Sequence, residues 1–171
     1  MISSLGTKES TYMKQQDDLF INSVQAALYS FQMLEEGLKI IVGLSYEVIQ
    51  ATTPEPVKFN FNPDEIYNAP LGNLRKMYSR VSDNTELGKE IDQIIPWRNY
   101  CAHRAFQVEY LSRNNVNKEN EKAIDGLITA TKATLQILLK LKEELQQVQQ
   151  LHPRVVKKLQ RDTGDNILPN K

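Results

Sequence analysis

The 171-residue chain has few of the residues that cross-link or interrupt a fold. It contains one cysteine, Cys101, so no disulfide can form within a single copy, and a lone thiol fits a reducing cytoplasm. Glycine and proline number only seven each, which excludes collagen-like and linker-dominated sequences. Residues 1–14 are polar, and no run reaches the roughly 18 apolar residues of a membrane span. We therefore expect a cytoplasmic protein without a membrane partner.

The chain also lacks charge of one sign, because 21 basic and 21 acidic side chains cancel. Proteins that bind nucleic acid by charge alone usually carry a basic excess, so the composition argues against a broad binder but allows a local basic cleft. The two histidines, His103 and His152, lie far from each other in the sequence and give no zinc-ligand spacing with the cysteine. We expect neither a metal nor a cofactor.

Hydrophobic residues make up 40% of the sequence, enough for one globular domain with a core, and they recur at helical spacing. The first apolar stripe comprises Phe20, Val24, Ala27, Phe31, Leu34, Leu38, Ile41 and Val48. The stripe of the last helix comprises Ile124, Leu127, Thr131, Leu135, Leu138, Leu145, Val148 and Leu151. The pattern predicts an all-α protein, an up-and-down bundle of four to five helices. A second apolar row on the first helix, around residues 40–49, predicts burial on two sides, in the bundle core and against a second subunit.

Local signals predict where the helices begin and end. Gly37 and Gly43 are weak points of the long first helix. Four prolines interrupt residues 52–70, where aromatic side chains should hold a loop on the core, and Asn62 before Pro63 predicts a capped short helix. The next helix should span residues 71–81.

Its successor should begin near Asp83, which has capping-box spacing to Glu86, and Pro96 predicts a kink or a restart inside it. A polar turn is predicted at residues 114–117 before the last helix. Pro153 should end that helix, which divides the chain into a helical domain, residues 1–152, and a basic and polar tail, residues 153–171.

One segment concentrates polar chemistry on an otherwise apolar helix: Pro96-Trp97-Arg98-Asn99-Tyr100-Cys101-Ala102-His103-Arg104. At about 100° per residue, Asn99 and His103 lie one turn apart on one face, and the long Arg98 side chain can swing toward that face. Histidine moves protons near neutral pH, and arginine holds phosphate oxygens with paired donors. This combination suits the cleavage of a phosphodiester.

At these residues the chain resembles the HEPN superfamily, whose ribonucleases carry an arginine, four to six intervening residues and a histidine, often with asparagine after the arginine. The segment from Arg98 to His103 matches that pattern, and it precedes the last long helix, as it does in the family. The turn at residues 34–39 and the leucine-glycine start at residues 70–74 are also similar to the family.

The resemblance implies a metal-independent endoribonuclease whose two motifs meet across a homodimer, in a toxin or a defence system with a partner protein such as an antitoxin. His103 is expected to transfer protons, Arg98 to hold the phosphate and Asn99 to orient the imidazole ring or the substrate. Arg104 and Lys39 are further candidates for binding RNA. The products are a 2′,3′-cyclic phosphate and a 5′-hydroxyl. One branch of the family carries a tyrosine two residues after the histidine; this chain has Ala105 there, which excludes regulation by modification of that tyrosine.

Structural interpretations compete with each of these roles. His103 can be a histidine held by a hydrogen bond in the core or by a helix neighbour, and Arg98 can belong to a salt bridge. Cys101 reads as a small core residue, and Trp97 and Tyr100 as packing residues rather than platforms for a base. Arg104 can simply cover surface, and Lys39 can pair with a glutamate on its own helix. The alternative function is a non-catalytic helical module that interacts with or scaffolds a larger complex.

Overall fold

The structure, a computed structural model, describes the backbone of residues 3–103, 105 and 118–162 and the side chains of residues 15–103, 105 and 121–151. Over these residues the chain forms five helices and no strand. The helices are α1 (Ser3–Thr52), α2 (Pro63–Tyr67), α3 (Leu71–Val81), α4 (Thr85–His103) and α5 (Lys118–Asp162). The prediction of an all-α fold with four to five helices is therefore confirmed. None of the helices, as far as they are described, is long and apolar enough to cross a membrane.

The chain divides into two compact units, each made of packed helices. The first unit comprises residues 1–33 and 90–136, and the second comprises residues 34–89 and 137–171. In the first unit, the N-terminal part of α1, the C-terminal part of α4 and the N-terminal part of α5 supply the core. Its buried side chains are Phe20, Val24, Ala27, Phe31, Ile91, Ile94, Cys101, Ala105, Ile124, Leu127 and Ala130. They recur every three, four or seven residues along the chain, the spacing that places helical side chains on one face.

The second unit buries apolar side chains of α1, α3 and α5, together with Ile66 of α2 and Leu87 of α4. Gly37 lies in this core, where a Cβ atom would stand 3.6 Å from Leu138 and 3.8 Å from Leu141 of α5. The weak points expected at Gly37 and Gly43 do not break the helix, since α1 continues through both glycines. Packing of the apolar face outweighs the cost of about 1 kcal/mol that a helical glycine carries.

The predicted loop after α1 is confirmed, and no strand forms at residues 57–61. Tyr46 of α1 makes edge-to-face contacts with Phe59 and Phe61, with ring centroids 5.5 and 5.4 Å apart. These contacts hold the loop against α1 as expected, whereas Tyr67 is mostly exposed. The short helix after Asn62 is confirmed too, because the Asn62 side chain accepts a hydrogen bond from the Asp64 N–H at 3.0 Å.

The predicted helix over residues 71–81 is confirmed as α3. The predicted cap at Asp83 is wrong by one residue, because α4 begins at Thr85 and the Asn84 Oδ1 accepts from the Leu87 N–H at 3.0 Å. Asparagine suits this position because its Nδ2 also donates to Glu144 of α5. A carboxylate can accept but cannot donate.

Two prolines lie inside helices. Helix α4 runs through Pro96 without a restart, and α5 runs through Pro153 to Asp162, so the prediction that Pro153 ends the last helix is wrong. A proline ring fixes φ near −65°, which a helix tolerates at the loss of one hydrogen bond. The division into a domain and a tail after residue 152 stays a prediction, and the turn expected at residues 114–117 lies outside the described residues.

The buried stripe of α5 is rotated from the predicted one. Ile124 and Leu127 are buried as expected, but Leu135 is 52% exposed and Leu151 is 48% exposed. The buried positions that follow Leu127 are Ala130, Thr134, Ile137 and Leu141. Thr134 fits an apolar core because its hydroxyl donates to the Ala130 carbonyl at 2.8 Å.

Candidate functional site

The C-terminal part of α4 presents the predicted polar motif to solvent. Ile94 and Cys101 of this segment are buried, while Asn99 and His103 are exposed on the opposite, outward face of the helix. Arg98 is half-buried and already has an interaction within the chain. His103 is therefore not a core histidine, and its chemical role stays a prediction.

The two aromatic residues of the motif pack instead of standing free. The rings of Trp97 and Tyr100 meet edge to face, with centroids 5.9 Å apart and planes at 73°. The Trp97 ring lies over Gly126 of α5, where a Cβ atom would overlap it. Gly126 thus provides the space in which Trp97 joins α4 to α5, and the packing interpretation of Trp97 holds.

Cys101 behaves as the predicted small core residue. It is completely buried, and this burial raises the pKa of its thiol to about 11. The reactive form of cysteine is the thiolate, which needs exposure and a lowered pKa. Neither condition is met, so the chemistry of the segment is left to Arg98, Asn99 and His103.

Lys39 and Arg104 are the two further candidates for binding RNA. The Lys39 Nζ lies 2.7 Å from the Glu36 Oε1 in a pair three residues apart on α1, and both belong to the second unit, whereas the motif belongs to the first. An exposed pair of this kind contributes about 0–1 kcal/mol. Arg104 lies outside the described residues. RNA binding by Lys39 and Arg104 stays a prediction.

A polar cluster that the sequence did not reveal lies in the second unit. Glu144 of α5 accepts hydrogen bonds from the Tyr78 hydroxyl at 2.6 Å, the Asn84 Nδ2 at 2.5 Å and the Ser82 hydroxyl at 3.3 Å. Burial, followed by the hydrogen bond to Glu144, raises the pKa of Tyr78. The cluster borders an open cavity of about 670 Å³, and it fastens the turn between α3 and α4 to α5.

The first unit also exposes an apolar surface on α1 and α5. Two of these side chains line a shallow groove of about 280 Å³ between the helices, Ala26 of α1 and Ile128 of α5. We call this surface the α1–α5 face; it comprises Leu19, Ala26, Tyr29, Met33, Ile128 and Leu135. The steps of seven from Leu19 through Ala26 to Met33 were the sequence signal for it.

Metal-ligating side chains are not clustered in the part of the chain that the structure describes: no group of three or more histidine, cysteine, aspartate or glutamate residues there could hold an ion. Comparison with known proteins finds no matching family model, curated protein or solved structure. The resemblance to HEPN ribonucleases rests on the motif and the helical frame alone.

Proposed function

We propose that the chain is a metal-independent endoribonuclease in which Arg98 and His103 act together with those of a second copy. The observation that carries the proposal is the placement of Asn99 and His103 on the outward face of α4, with Arg98 between that face and the core. A proton-transfer group and an amide presented to solvent one helical turn apart are what a bound RNA strand can reach.

The proposed reaction is transfer of a phosphoryl group within the RNA. The His103 imidazole of one copy takes the proton of a ribose 2′-hydroxyl, and the 2′-oxygen forms a bond to the adjacent phosphorus. The bond from phosphorus to the 5′-oxygen breaks, and the partner's His103 gives that oxygen a proton. Arg98 stabilises the charge on the phosphate oxygens, and Asn99 orients the imidazole or the phosphate. The products are a 2′,3′-cyclic phosphate and a 5′-hydroxyl.

The test is cleavage of labelled single-stranded RNA by the purified chain, with analysis of the product ends. His103→Ala and Arg98→Ala should each lower the rate by about 10²–10⁴-fold, and the double variant should lose little more, because the two groups act as a unit. His152→Ala and Arg80→Ala are the matched controls, and circular dichroism checks that each variant keeps its helices. Cleavage should survive EDTA, and DNA should resist because it has no 2′-hydroxyl.

Loss of cleavage with EDTA, or full activity of His103→Ala, contradicts the mechanism. The absence of cleavage on any RNA favours the second candidate function, a non-catalytic interaction module, possessing no active site. The exposed α1–α5 face is the observation that favours this candidate, because large apolar patches usually mark binding surfaces. The cellular role proposed for the ribonuclease is that of a toxin or defence component, acting with a partner protein such as an antitoxin.

A further inference from the structure

The α1–α5 face exposes more apolar surface than scattered single side chains would. Leu19 is 50% exposed, Tyr29 67%, Met33 44%, Ile128 37% and Leu135 52%. At roughly 200 Å² for a large side chain, these fractions correspond to about 500 Å² on one face of two neighbouring helices. This is near the upper end of what a monomer exposes in one patch.

That area matches the requirement of a dimer. A standard interface buries about 800 Å² on each partner, of which about 57% is non-polar, or roughly 450 Å². With Asn22, which lines the groove, the α1 part of the face follows a–d spacing: Leu19, Asn22, Ala26, Tyr29 and Met33 are separated by three or four residues. A stripe with this spacing packs well against another helix. None of these five α1 side chains is charged, so the α1 stripe can meet itself without repulsion between like charges. The groove is also lined by Lys132 of α5, whose long stem can carry its ammonium group into solvent.

The face points away from the helix that carries Arg98 and His103. On α5, Ile128 lies two residues after Gly126 and Leu135 nine residues after it, so both project about 180–200° from Gly126. Because Trp97 of α4 packs on Gly126, α4 lies on the opposite side of α5 from the exposed stripe. On α4, Asn99 and His103 in turn project about 200–240° from Trp97.

We infer that the α1–α5 face binds a second copy of this chain in a two-fold dimer that leaves both Arg98–His103 motifs outside the interface. In a two-fold dimer the same patch forms the interface on both copies, so the apolar stripe of each copy packs against that of the other. The inference does not depend on the proposed ribonuclease activity. If that activity exists, its composite site requires a second contact, between the outward faces of α4.

Cross-linking distinguishes the two surfaces directly. Ala26→Cys places a thiol on the α1–α5 face, and Ala102→Cys places one beside His103; both alanines are exposed, and the native Cys101 is buried. Treated with a bismaleimide of nanometre reach, Ala26→Cys should give a covalent dimer and Ala102→Cys should remain monomeric on a denaturing gel. Cross-linking of Ala102→Cys without cross-linking of Ala26→Cys places the interface on α4 and overturns the inference.

The mass in solution provides the second test. Sedimentation equilibrium of the full chain across the micromolar range should give a dimer, and Tyr29→Glu should weaken its association about tenfold or more. Tyr67→Glu is the matched control, because Tyr67 has the same 67% exposure but lies on α2, and it should leave association unchanged. Circular dichroism confirms the fold of both variants. A wild-type monomer at every concentration, or equal association of the two variants, refutes the dimer, while the RNA assay reports separately on the motif.

Discussion

Replacing Tyr78 with phenylalanine isolates the polar cluster around Glu144. Tyr78 is 1% exposed and its ring keeps its packing in the variant, so the change removes only the hydroxyl, which donates to Glu144 at 2.6 Å and accepts from the Ser82 hydroxyl at 3.0 Å. Glu144 keeps Asn84 and Ser82 as donors. A hydrogen bond to a charged group contributes about 1.5–3 kcal/mol, so we expect Tyr78→Phe to lower the free energy of unfolding by about that amount.

The pH dependence of this effect has a definite sign. Burial and the hydrogen bond to Glu144 raise the pKa of Tyr78 in the folded protein above its ordinary value of 10.0. The folded state therefore holds this proton more tightly than the unfolded chain does. The resulting stabilisation is complete below pH 10 and is lost as the pH rises above it, by up to about 1.4 kcal/mol per pH unit. The difference in the free energy of unfolding between the wild type and Tyr78→Phe should become smaller over that alkaline range.

Urea unfolding followed by circular dichroism measures both quantities, at neutral pH and at intervals above pH 9. Tyr67→Phe is the control, since it removes a hydroxyl from a tyrosine that is mostly exposed, and its stability should equal that of the wild type. The reasoning fails if Tyr78→Phe is as stable as Tyr67→Phe at neutral pH. It also fails if the difference in the free energy of unfolding between Tyr78→Phe and Tyr67→Phe does not change above pH 10.

Two further predictions concern the glycines and the cysteine. Gly43→Ala should raise the free energy of unfolding by about 0.5–1 kcal/mol, because a Cβ atom there has no neighbour within 4 Å among the described residues. Gly126→Ala should lower the free energy of unfolding by about 1–3 kcal/mol, because its Cβ atom would overlap the Trp97 ring. The same change should shift the fluorescence of Trp97, the only tryptophan. Urea unfolding of both variants checks the opposite signs; equal effects would contradict the assigned packing. Cys101 should react with a disulfide reagent only after unfolding in urea, because the folded thiol is buried and its pKa is raised to about 11. Rapid labelling at neutral pH without urea would show that the thiol is accessible.

Local sequence signals predicted the elements that depend on local interactions. The Asn62 cap and the bounds of α3 follow from side chains that interact within one helical turn. The apolar rows of α1 were visible as well, but periodicity alone did not identify the row that a neighbouring helix covers. Val42 of the second row is fully buried, whereas Ile40 of the same row is half exposed. That difference in exposure depends on where other helices pack against α1. The sequence of α1 alone does not determine those positions.

The parts of the candidate site differ in how far the sequence could predict them, for the same reason. The outward placement of Asn99 and His103 follows from their spacing on one helix, so the sequence could indicate it. The cluster at Glu144 joins residues separated by 66 positions from Tyr78 and by 60 from Asn84, and no local pattern marks such pairs. The sequence favours Asp83 over Asn84 as the cap because the second role of Asn84, donation to Glu144, exists only in the folded chain.

The two surfaces of the first unit also constrain how the proposed site could assemble. The outward face of α4 exposes Pro96 among mostly polar side chains, Asp92, Gln93, Asn99 and His103. Polar side chains prefer water and provide little free energy for association. The α1–α5 face has the opposite character, with apolar side chains and no group for proton transfer. A stable dimer thus gains most from the α1–α5 face, and a contact between α4 helices would be weak by itself. A ribonuclease built in this way would hold its motifs apart in the dimer and pair them only when dimers meet or RNA bridges them.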